Sequence, residues 1–221
     1  MSREIEIIPT CVPLVYDDLL AVCERVAPFS SVLHVDVNDG EFANPKTWPD
    51  DFSISLSMPP IKTHVHAMVR DVSTYGSYFA RAGVNTLVVH GECDIELSAV
   101  SMWREKGIVE FGLAFLLDTE IEYVCKRIDA LRPDIVLLMS VARIGSQGAP
   151  FDERIYERVR AISKRYPNVV VAVDGGISID TCDALIQAGA TRLYVGSSIM
   201  HAENPAHAYE QLVARANSRV Q

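Results

Sequence analysis

The feature that most constrains this chain is a rhythm in which short β-forming runs alternate with helix-length amphipathic stretches. Strands are expected at 4–8, from Val32 to the Asn38-Asp39-Gly40 turn, and at 63–69, 86–90, 112–117, 135–141, 169–173 and 192–195. Helices are expected at 15–26, 73–82, 95–106, 120–131, 152–165, 179–188 and 205–216, several of them closed by glycine. Between Glu41 and Ile61 the pattern weakens, because prolines, including Trp48-Pro49, break any long helix. Runs such as Ile135-Val136-Leu137-Leu138-Met139 are apolar at every position, as in a parallel strand buried on both faces. Eight strands, each followed by a helix or a helix-sized gap, fit a single closed (β/α)8 barrel over 1–221. An open doubly wound sheet is disfavoured, because no GxGxxG follows the first strand.

Composition narrows the partners. The chain has 221 residues, and 49% of them are hydrophobic, enough to fill one large core. Its net charge of −9 and the lack of a basic stripe argue against nucleic acid. No apolar run is long enough to span a bilayer, and Met1-Ser2-Arg3-Glu4 does not open a signal peptide. The five cysteines are scattered without a CxxC pair and read as reduced thiols, so a cytoplasmic protein is expected. Assembly as a homo-oligomer is also expected.

In barrels of this kind chemistry sits at the C-terminal ends of the strands. The second strand delivers His34, Asp36 and Asn38 there, all on one face because side chains alternate along a strand. The third delivers His64, His66 and Met68, and the fourth ends in His90-Gly91-Glu92. Met139 and Ser140 end the sixth, Asp174-Gly175-Gly176 the seventh and Gly196-Ser197-Ser198 the eighth; the first ends in Pro9-Thr10-Cys11. Four of the six histidines fall on these ends, a concentration that separately satisfied core histidines would not produce.

Several motifs carry a resemblance. His34-Val35-Asp36-Val37-x-Asp39-Gly40-x-Phe42, His66-x-Met68-Val69, Val173-Asp174-Gly175-Gly176-Ile177 and Gly196-Ser197-x-Ile199 are similar, in order and near spacing, to the ribulose-phosphate 3-epimerase family. Arg81-Ala82-Gly83 and Gln187-Ala188-Gly189-Ala190 resemble it too, so the likeness covers almost the whole chain. The resemblance implies a TIM barrel of the ribulose-phosphate-binding type. It also implies one divalent metal held at the positions of His34, Asp36, His66 and Asp174, with Asp36 and Asp174 as the proton-transferring residues. Two imidazoles and two carboxylates suit Zn, Fe, Mn or Co.

That set makes chemical sense. Inverting C3 of a ketose phosphate requires loss of the proton beside the carbonyl and its return on the other face. A cation stabilises the enediolate, and two carboxylates from separate strands can flank the substrate plane. Gly175, Gly176, Gly196 and Ser197 lie between the last two strands and their helices, where backbone N–H groups can hold a phosphate. The implied activity is metal-dependent 3-epimerisation, with D-ribulose 5-phosphate to D-xylulose 5-phosphate as first candidate.

The departures fall where substrate is read. The family has Met at the position of Asn38, in an apolar layer that Met68 and Met139 retain; Asn38 instead is expected to bring an amide within reach of the substrate. The family's Pro-Gly-Phe-Gly-Gly-Gln lid is here Ala142-Arg143-Ile144-Gly145-Ser146-Gln147-Gly148, which lacks Pro and Phe and gains Arg143 as a potential anion partner. Thr10 replaces the Ser of the first strand, and 43–60 does not follow the family pattern. Epimerisation of another pentulose, a tetrulose or a hexulose phosphate therefore stays open, as does a non-catalytic metal- and phosphate-binding relative. The Asp-x-Lys of related decarboxylating and condensing barrels is absent, since Asp36-Val37-Asn38 has no lysine.

Overall fold

A computed structural model of the chain describes residues 4–49, 58–145 and 148–218. Eight parallel strands close on one another in sequence order: β1 (Glu6–Cys11), β2 (Val32–Asn38), β3 (Lys62–Met68), β4 (Thr86–His90), β5 (Glu110–Phe115), β6 (Ile135–Met139), β7 (Val170–Asp174) and β8 (Arg192–Val195). Around them run α1 (Tyr16–Val26), α2 (Val72–Arg81), α3 (Leu97–Glu105), α4 (Ile121–Leu131), α5 (Ile155–Arg165), α6 (Ile179–Ala188), α7 (Ser197–Met200) and α8 (Pro205–Asn217). The expected (β/α)8 barrel is therefore present. Among the described residues no helix lies between β2 and β3, and 50–57 fall outside them. None of the described helices is long and apolar enough to cross a membrane.

Strand parity divides the core in two. Residues such as Leu33, Val35, Val37, Val136 and Leu138 face outward and pack under the helices. Ile8, Val88, Ala114, Ile135, Leu137, Met139, Ala172 and Tyr194 fill the barrel itself. Because both faces are buried, the strands are apolar throughout except where the interior turns polar at either end.

Boundaries differ from expectation where tertiary pairing decides them. β1 was expected at 4–8 but runs to Cys11, because Glu6 to Pro9 pair with β8 and Thr10 pairs with His34 of β2. β5 begins two residues before its expected start, since Glu110 pairs with Thr86 and the Phe111 N–H donates to Asp134. Helix α5 starts at Ile155, not 152, because the Asp152 carboxylate accepts the Arg154 N–H in a turn that precedes the helix. The four-residue α7 was not expected at all.

The bottom of the barrel is closed by Arg192, whose side chain is 5% exposed. It donates to Glu6 at 2.6 Å and to both oxygens of Glu110 at 3.1 and 3.3 Å, and Thr86 also donates to Glu110. Removing one partner of a buried ion pair costs about 3–5 kcal/mol. Here the carboxylates are 47% and 29% exposed, so solvent reduces this to about 2 kcal/mol. Arg192→Ala is expected to lower Tm by about 4–8 °C in a thermal melt at neutral pH. A melt unchanged within 1–2 °C would show that the plug contributes nothing measurable.

Candidate active site and metal centre

The parallel register between β2 and β3 sets Asp36 beside His66 and His34 beside His64, all facing the barrel interior. β6 and β7 pair Met139 with Asp174, and β7 and β8 pair Asp174 with Tyr194. Asp36, His34, His66 and Asp174 thus converge at the upper end from three strands. One ligand atom from each lies within 4.8 Å of all the others, and all four residues are buried. The His66 Nδ1 atom is 3.0 Å from Asp36 Oδ1 and 3.9 Å from Asp174 Oδ2. His34 Nε2 approaches Asp36 Oδ1 to 3.3 Å. That approach is off-line for a hydrogen bond, so both ring nitrogens of His34 are buried without a hydrogen-bond partner.

An imidazole wholly removed from water with no partner costs about 1–3 kcal/mol unless something else engages it. Tyr194 stacks on the ring at 3.7 Å and fixes its plane, but does not satisfy its nitrogens. Two imidazoles and two carboxylates within reach of one point are a donor set for a divalent cation. The residues fit the metal that the motifs imply.

The surrounding electrostatics separate the two carboxyls. Burial opposes charge on Asp36, but the His34 and His66 imidazoles beside it outweigh burial and hold it well below the usual carboxylate range. Burial, reinforced by the charge on Asp36, pushes Asp174 well above that range, against a small opposing effect of the Gly175 N–H. Burial also lowers His34. The surroundings therefore shift the two neighbouring carboxyls in opposite directions.

Above the cluster opens a cleft. Thr10, Asp36, Met68, Met139, Gly145, Asp174, Gly175, Gly176, Gly196 and Ser197 line it. Sequence reasoning missed Val141, Ile144, Gly148, Ala149 and Ile177, which complete the lining from the loops after β6 and β7. No residue type marks them; only their place above the barrel does. Gly176 has φ +62, and a Cβ there would meet the Phe151 nitrogen at 2.9 Å and Ala149 O at 3.1 Å. Any side chain would therefore push the β6 loop away.

Two expected residues stand elsewhere. Asn38 does not line the cleft and is wholly buried. Its amide nitrogen donates to Pro45 O at 3.0 Å and Gly145 O at 2.9 Å, while its backbone N–H donates to the Thr47 hydroxyl at 2.8 Å. It ties β2 to the 43–49 segment and the β6 loop, in place of the expected approach to substrate, because two unpaired carbonyls lie closer to hand. Arg143 is exposed on the β6 loop and does not line the cleft; Ser146 and Gln147 of that loop lie outside the described residues. His64, two residues before His66 on β3, lies 3.3 Å from the Tyr194 hydroxyl, where burial first and then Arg192 lower its pKa to about 2.

Comparison with known proteins follows the same lines. Residues 14–200 match the ribulose-phosphate 3 epimerase family. The chain belongs to that family. A ribulose-phosphate 3-epimerase of Schizosaccharomyces pombe is 30% identical over 186 residues, covering 80% of this chain and 78% of that protein. The cytoplasmic isoform of Oryza sativa subsp. japonica is 27% identical over 212 residues, 90% of this chain and 89% of the rice protein. In architecture the epimerase-family chain is also similar to phosphoribosyl anthranilate isomerase from Thermococcus kodakaraensis. That match has a TM-score of 0.63 at 18% identity and covers 95% of this chain and 99% of the other. It speaks to the shared barrel alone.

Proposed function

We propose that the chain is an isomerase that inverts C3 of a ketose phosphate, with D-ribulose 5-phosphate to D-xylulose 5-phosphate as first candidate. One observation carries the reading: Asp36 from β2 and Asp174 from β7 meet at the floor of one cleft, beside His34 and His66. Membership of the epimerase family and relatives named ribulose-phosphate 3-epimerase support it.

A ketose phosphate laid across this floor has a carboxyl on either side. One of the two aspartates takes the C3 proton from one face, and the other supplies a proton to the opposite face, giving the epimer. The reverse reaction exchanges the two roles. His34, Asp36, His66 and Asp174 would hold a divalent cation, Zn, Fe, Mn or Co, which supplies Lewis-acid stabilisation of the charge on the enediolate oxygens. Met68 and Met139 give the reacting carbons an apolar wall that excludes water. Gly175, Gly176, Gly196 and Ser197 also line the cleft, and backbone N–H groups there would suit the phosphate. Arg143, exposed on the loop that borders the cleft, is offered as a partner for an anionic group of the substrate.

The rebuilt loop after β6 supports a second candidate, another pentulose, tetrulose or hexulose phosphate. Val141, Ile144, Gly145, Gly148 and Ala149 line the cleft from the loop that stands where the resemblance implies the family's lid. Incubating the purified chain with a panel of ketose phosphates and separating the C3 epimers tests both. One substrate should convert to its epimer and back to a common equilibrium. No conversion of any member would favour a relative that binds without turnover.

A further inference from the structure

Beyond the four converging residues, a buried chain of hydrogen bonds runs outward from His66. His66 Nε2 lies 3.0 Å from His90 Nε2, and His90 Nδ1 lies 3.1 Å from Glu92 Oε2. The other Glu92 oxygen accepts the Leu116 N–H at 2.9 Å and the Thr119 hydroxyl. Both imidazoles are wholly buried, and Phe42 covers His90 at 4.5 Å. His90 ends β4, Glu92 follows it two residues on, and neither has a part in the proton transfers described above.

The chemistry of these groups fixes which way each bond points. Glu92 is held as an acceptor by two donors on its far oxygen, so His90 must donate from Nδ1. The neutral imidazole of His90 then has a bare Nε2, which can only accept. His66 must therefore donate from Nε2, which leaves Nδ1 as its position toward Asp36 and Asp174.

We propose that His90 and Glu92 are positioning residues, a Glu92–His90–His66 relay that keeps the His66 proton on Nε2 and presents Nδ1 to a metal ion. The inference rests on the reading of His34, Asp36, His66 and Asp174 as a metal site. The relay orients the His66 ring and makes Nδ1 the better electron donor, as a carboxylate does through a single imidazole in other metal centres. His66 Nδ1, 3.0 Å from Asp36 Oδ1, is then the bare nitrogen that a cation would take up between the carboxylates.

Glu92→Gln tests this with little change of shape. Its carbonyl can still accept from Leu116 and Thr119, but its NH₂ group now faces His90 Nδ1. That reverses every bond in the relay and puts a proton on the wrong nitrogen of His66. The dissociation constant for Zn²⁺ alone, measured by competition with a chromophoric chelator on the metal-stripped protein, should rise about 10–100-fold. Thr119→Val removes a bond to Glu92 but leaves the relay, and should stay within about threefold of wild type. His90→Gln places an acceptor oxygen near the site of Nε2 and should retain most of the affinity, whereas His90→Leu should lose about as much as Glu92→Gln.

Equal losses in Glu92→Gln and Thr119→Val would mean that Glu92 acts only as a brace for the loop after β5, and would overturn the relay. So would wild-type affinity in a folded Glu92→Gln. Should Glu92→Gln fail to fold, the His90 pair decides: equal affinities in Gln and Leu overturn the relay, and a tenfold or larger gap supports it. Failure of the wild-type chain to bind Zn²⁺ at all would instead remove the metal site, and the relay with it.

Discussion

Asp36→Asn and Asp174→Asn are each expected to lower kcat/KM for C3 epimerisation by about 10³–10⁴-fold, the loss that follows removal of a positioned acid or base. That is about 4–5 kcal/mol of transition-state stabilisation, far more than any expected effect on folding. Both residues are buried and line the cleft, so water cannot easily substitute for either carboxyl. The amides keep the volume and one acceptor oxygen but cannot take or give the proton. Each variant should leave one face of the substrate served. Asp36→Asn or Asp174→Asn would then still exchange the C3 proton of one epimer with solvent while failing to form the other. Measuring exchange separately from each epimer assigns a face to each carboxylate. Full epimerisation by either variant, within about tenfold of wild type, would remove that residue from the chemistry.

His66→Ala should have the second-largest effect, on metal content. The wild-type chain, purified without added metal, should contain close to one divalent ion per chain by elemental analysis. Loss of one of four ligands leaves a site short of the coordination these ions require, and occupancy should fall below about a tenth. The truncation also opens a cavity in a packed wall, because His66 is wholly buried and stacks near His90 at 5.1 Å. Circular dichroism separates the two effects, since a folded, metal-poor variant is the expected outcome. A metal-free wild type with full epimerase activity would contradict the role given to the cluster.

Much of this was legible in the sequence, for reasons that can be traced to particular residues. The barrel followed from apolar runs such as Ile135–Met139, which only a doubly buried parallel strand explains. His34 and Asp36 share a face by the two-residue period of a strand, and so do His66 and Met68. That Asp36 faces His66 across the β2–β3 ladder depends on register, which no single strand encodes. The Asn38 amide was misplaced because its partners, Pro45 O and Gly145 O, are backbone atoms brought near by loop paths that no local pattern announces. His90-Gly91-Glu92 was visible as a polar strand end, but its link to His66 spans 24 residues and needed the barrel to close. Arg192 was equally hidden, since its acid partners lie 186 and 82 residues away.

Incorporation of solvent hydrogen is the most direct measure of the central claim, that Asp36 and Asp174 move a proton at C3. Wild-type chain incubated with D-ribulose 5-phosphate in D₂O, and in parallel with the other ketose phosphates, should be followed by proton NMR. The C3 proton signal of the accepted substrate should disappear as the epimer forms, with C1 left unlabelled. Deuterium at C1 instead would mean aldose–ketose isomerisation, and epimer formed without deuterium at C3 would contradict proton exchange through these carboxyls.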